Sequence, residues 1–113
     1  MATGKPLPAW RRVYGVVAAG GEADFDILPF DDVAGIEYQL TILNATENKY
    51  LGMKVHANRE DSEISYNVSD KIGDPLSKTV QVLKVGSDAV LRVSNGEAFP
   101  LTVSGIRAKR SVL

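Results

Sequence analysis

Cysteine is absent from the 113 residues, which removes disulfides, thiolate metal sites and thiol nucleophiles together. Histidine occurs once, at position 56, too few for a His-based transition-metal site. Net charge is nearly absent as well: 13 Lys and Arg against 14 Asp and Glu leave -1, which argues against a polyanion binder held by bulk charge. No apolar run is long enough to cross a membrane, and Met1–Pro8 lacks the apolar core of a signal peptide. The chain is therefore expected to be soluble, made in the cytoplasm without a cleaved signal and without membrane or nucleic-acid partners. Also missing are a Gly-x-Gly-x-x-Gly run, a phosphate loop and a Gly-x-Ser-x-Gly elbow, so no cofactor and no enzymatic activity are expected.

What the sequence has is alternation. Ile36, Tyr38, Leu40 and Ile42 alternate with Glu37, Gln39 and Thr41, which places four apolar side chains on one face of a strand. Met53, Val55 and Ala57 repeat the pattern, as do Ile64, Tyr66 and Val68. Phe25 and Ile27 against Asp24 and Asp26 predict a shorter strand with the aspartates together on its polar face, and residues 10–17 predict another, interrupted by Gly15. Between 79 and 106 the spacing predicts a three-stranded meander with turns at Val85–Asp88 and at Asn95-Gly96. Residues 69–78, broken by Gly73-Asp74-Pro75, read as the longest loop.

Val, Ile and Thr supply 24 residues, no segment carries a helical stripe, and Gly or Pro joints recur about every ten residues. The fold class expected is all-β: a single sandwich domain over 1–113 of about seven to nine antiparallel strands, jelly-roll or immunoglobulin-like. Residues 1–9 are read as an extended N-terminal arm and 107–113 as a basic C-terminal tail.

Charge is segregated along the chain. Residues 1–20 carry +3, residues 21–37 carry -6 and residues 107–113 carry +3, so basic ends and an acidic segment can pair within one chain or between copies. Lys5-Pro6-Leu7-Pro8-Ala9-Trp10 is a stiff extended stretch ending in the only tryptophan. Trp10, Arg11, Arg12, Arg107 and Arg110, with Asp24, Asp26, Asp31 and Asp32, are accordingly the candidate interface residues, since aromatic and Arg side chains dominate hot spots.

Other constellations carry less. The four aspartates suit calcium in ligand type but lack the EF-hand spacing, so no metal is expected. His56 falls on the polar phase of its strand, and Glu60, Asp61 and Glu63 occupy a hairpin connection. Tyr38 and Tyr66 fall on apolar phases and are expected in the core, leaving Tyr14 and Tyr50 as exposed rings that could stack on a sugar. These features together predict a non-catalytic structural or assembly protein that binds copies of itself or a larger assembly as a homo-oligomer. A virion component, such as a phage capsid decoration or cement protein or a tail subunit, is its concrete form. The alternative expectation is a carbohydrate-binding β-sandwich module.

Overall fold

Alternating sequence becomes strand through almost the whole chain. The computed structural model describes residues 10–111, apart from the side chains of 70 and 109–111. Eight strands lie within that range: β1 (Arg11–Val17), β2 (Glu22–Pro29), β3 (Gly35–Asn44), β4 (Lys49–Glu60), β5 (Glu63–Gly73), β6 (Lys78–Val85), β7 (Asp88–Asn95) and β8 (Leu101–Ser111). A single 3-10 turn, Phe30–Asp32, separates β2 from β3. Among the described residues no helix is long and apolar enough to cross a membrane.

The strands form two antiparallel sheets, one ordered β1-β8-β3-β4-β5 and the other β2-β7-β6. The protein is an all-β sandwich. First strand lies beside last and second beside penultimate, a nesting shared with jelly rolls; β3, β4 and β5 depart from it by remaining a meander in one sheet. Between the layers lies one apolar cluster. Ile36, Tyr38, Leu40 and Ile42 of β3 face Leu91 and Val93 of β7 across it, all at most 3% exposed. Burying an aliphatic side chain of this size is worth about 1.5–3 kcal/mol, so this row is what holds the sheets together.

Four local expectations differ from what forms. In β2 the register slips between Asp24 and Asp26, so the inward phase passes from Phe25 and Ile27 to Asp26 and Leu28, and Ile27 ends 53% exposed. Asp24 and Asp26 therefore do not share a face. The extra residue, Phe25, lays its ring against Gly15 of β1, where a Cβ would meet it at 2.6 Å. The bulge and the glycine thus explain each other.

At 69–78 strand replaces loop. β5 continues to Gly73, whose φ of +118 turns the chain, and only residues 74–77 bridge to the other sheet. The Asn95-Gly96 pair makes no hairpin either, because β7 and β8 belong to different sheets. Instead the buried Asn95 amide donates to the carbonyls of Val17, Ala18 and Phe99 at 2.9–3.2 Å, while its oxygen accepts from the Glu97 amide at 2.7 Å. A side chain that satisfies three loop carbonyls fixes a crossover rather than a two-residue turn. Finally, the C-terminal tail is strand as far as Ser111, paired with β3 along its length and with β1 only at Arg107. The arm at 1–9 lies outside the described residues.

Candidate functional site

Register places Arg11 of β1, Arg107 of β8 and Tyr38 of β3 in one row on the inner side of the five-stranded sheet. Asp26 arrives from the opposite sheet because of the β2 slip. Arg107 Nη1 donates to both carboxylate oxygens at 3.0 and 2.8 Å, Arg11 Nη1 donates to Oδ1 at 3.0 Å, and the Tyr38 hydroxyl donates to Oδ2 at 2.7 Å. Burial, together with the adjacent carboxylate, pushes the Tyr38 hydroxyl far above the ordinary tyrosine range, so it stays a proton donor. The side chains of Asp26 and Arg107 are 0% and 1% exposed.

This corrects the assignment of Arg107 and Asp26 to an intermolecular interface. Basic ends and acidic segment do meet, but inside one molecule, where a buried charge requires a partner and every carboxylate lone pair finds one. Asp26 and Arg107 are closed to solvent, Arg11 keeps about half of its side chain exposed, and the cluster clamps the sheets.

The other candidates scatter. Asp24 accepts two hydrogen bonds from Arg92, at 2.7 and 3.2 Å, which hold its carboxyl below the usual range. Asp31 and Asp32 are exposed on the 3-10 turn, Asp31 with Arg59 at 3.8 Å. The four aspartates do not converge, and among the described residues no group of three or more His, Asp or Glu could hold a metal ion. Arg110 pairs with Ile36 in the β8–β3 register, its side chain outside the description. His56 is exposed on β4 between Glu37 and Asn67.

Trp10, exposed, directly precedes β1, and Arg12 falls on the outer face of the five-stranded sheet. One row across it reads Tyr14, Ser104, Thr41, Gly52, Ile72, and the next Val16, Thr102, Leu43, Tyr50. A third reads Arg12, Ile106, Gln39, Lys54, Ser69, and none of the three contains an acid. Trp10, Tyr14, Val16, Tyr50 and Ile72 are all more than half exposed. The Arg12 guanidinium lies 5.5 Å from the centre of the Tyr14 ring, and Gly52 opens a shallow depression of about 390 Å³ flanked by Ile72 and Ile106.

Tyr66 also departs from expectation: it is 41% exposed, because β5 is an edge strand that the shorter sheet does not fully cover. Sequence reasoning missed Ile72, which it assigned to a loop, and Gly52. An isolated glycine inside an alternating strand is the signal that pointed to the depression. Compared with known proteins, the chain matches no family, and no curated protein matches it in sequence.

Proposed function

We propose that this protein is a non-catalytic structural subunit that adheres to copies of itself or to a larger assembly through the outer face of its five-stranded sheet, with the exposed Trp10 beside it. A virion component, such as a phage capsid decoration or cement protein or a tail subunit, is the concrete form of this reading. One observation carries it: Tyr14, Val16, Tyr50 and Ile72 stand 60%, 57%, 51% and 76% exposed around a floor of Thr, Ser and Gly. Large apolar groups spread across one face of a small domain mark a contact surface, and an acid-free floor spares a partner the desolvation of carboxylates. Arg12, stacked beside Tyr14, supplies the type of charged anchor that interfaces favour.

Gly52→Glu tests the reading. A Cβ at Gly52 would meet only the Ile72 carbonyl, at 3.7 Å, so the fold accommodates a side chain there while a carboxylate is projected into the face. Light scattering coupled to size exclusion should show the mass of the wild-type protein rising with concentration and that of the variant staying monomeric, with equal thermal midpoints. A wild type that remains monomeric, or a variant that associates as well, rejects this face as a homotypic interface.

A second reading, a carbohydrate-binding module, draws on the same face. Tyr14 and Tyr50 stand on strands three spacings apart, about 14 Å, with the hydroxyls of Thr41, Thr102 and Ser104 between them. It predicts saturable glycan binding that Tyr14→Ala or Tyr50→Ala abolishes. A glycan array without hits removes it.

A further inference from the structure

The crossover at 74–77 brings two cations together at the flank of the sandwich where the edge strands β5 and β6 meet. Lys78 occupies an inward-facing position of β6, in phase with the buried Val80 and Val82 and opposite the buried Asn95. Lys71 of β5 is close enough to repel it, while on its other flank Lys78 shares a separate cleft with Glu22. Both line a cleft of about 330 Å³, floored by Val68 and Val80 and edged by Asn67 and Thr79, that no acidic residue among the described residues enters.

Other described cations have a partner. Lys84, also in the inward phase of β6, lies 4.7 Å above the Phe30 ring, Lys49 is 3.8 Å from Glu47, and Arg92 and Arg107 hold aspartates. Lys71 and Lys78 make no ion pair among the described residues. Partial burial and the repulsion of Lys71 hold Lys78 below the usual lysine range. Packing alone would favour an apolar residue or a carboxylate at that inward position. A partly buried lysine that shares its cleft with a second lysine is instead a place suited to negative charge, because an anion relieves the repulsion and replaces the lost hydration at once.

We propose that this cleft binds an oxyanion, a carboxylate or phosphate group, held between the two ammonium groups with Asn67 and Thr79 as neutral hydrogen-bonding neighbours. The cleft's size admits a single such group with a small substituent. The proposal is independent of the assembly reading, whose face lies outside the five-stranded sheet.

Titrations of the full chain with sodium phosphate and with sodium acetate at constant ionic strength, followed by amide chemical shifts, test it. We expect saturable shifts confined to Asn67, Lys71, Lys78 and Thr79 with at least one of the two anions; the tighter of them identifies tetrahedral or planar recognition. Lys78→Met keeps the aliphatic stem and should weaken binding about tenfold, the worth of one charge-assisted hydrogen bond. Lys71→Gln, at an exposed position, should do the same without endangering the fold, and Lys84→Gln should change nothing. Shifts that never saturate with either anion, or equal affinity in wild type and Lys71→Gln, would overturn the proposal.

Discussion

Asp26 concentrates the energetics of this protein in one carboxylate. It accepts from two guanidinium groups and one phenol and is itself fully buried, so removing it leaves the buried Arg107 without its carboxylate partner. Asp26→Ala should destabilise by about 3–5 kcal/mol, measured by denaturant unfolding. The double replacement Asp26→Leu with Arg107→Met should lose less than Asp26→Ala alone, because no orphaned charge remains. If the double variant is the less stable of the two, the clamp contributes net binding between the sheets beyond its charge balance. Nothing in the local sequence distinguishes Asp26 from Asp24, two residues away. Alternation assigned both to the solvent face; only the slip in the β2–β7 register sends one inward and leaves the other on Arg92.

Among the elements, β3 and β4 were legible throughout, and β2 and β5 were legible only in part. β3 and β4 lie between other strands of their sheet, and their alternating residues settle into the inner phase that sequence assigns them: Ile36, Tyr38, Leu40, Ile42, Met53, Val55 and Ala57 are all buried. β2 and β5 are edges with a neighbour on one side only, where a bulge costs little and a half-covered residue such as Tyr66 can stand in solvent. The end of β5 depends on a single backbone conformation. Gly73 has φ +118, and a Cβ there would run into the Tyr50 carbonyl, so Gly73→Ala forces both a left-handed backbone and a displacement of β4. A loss of about 1–3 kcal/mol in chemical denaturation is expected. Gly86→Ala, also at positive φ but with open space around its Cβ, should lose less; equal losses would mean that the strand neighbour is irrelevant.

At the scale of the whole molecule, charges that could have joined copies are used within one. Arg11, Arg92 and Arg107 hold Asp24 and Asp26, and the proposed assembly accordingly uses the outer sheet face. The light-scattering series thereby acquires a sign. Contact through apolar side chains persists or strengthens as salt rises, whereas contact through exposed charge fades once the screening length falls below about 10 Å. Association lost at moderate salt would return the interface to the charged ends of the chain.

The sequence by itself determined the class of fold, because period-2 alternation and closely spaced Gly and Pro leave a sandwich as the way to bury so many β-branched side chains. It also determined which chemistries lack their residues. Which strands became neighbours, and therefore where each charge went, depended on contacts between residues far apart in the chain, as in the pairing of Asp26 with Arg107, 81 positions away. Such pairings are set by register slips and sheet crossovers that cost little locally and leave no periodic mark. The apolar patch on the outer face and the lysine cleft arise in the same way, from side chains that are scattered in the chain and adjacent only after the strands have paired and the two sheets have closed on each other.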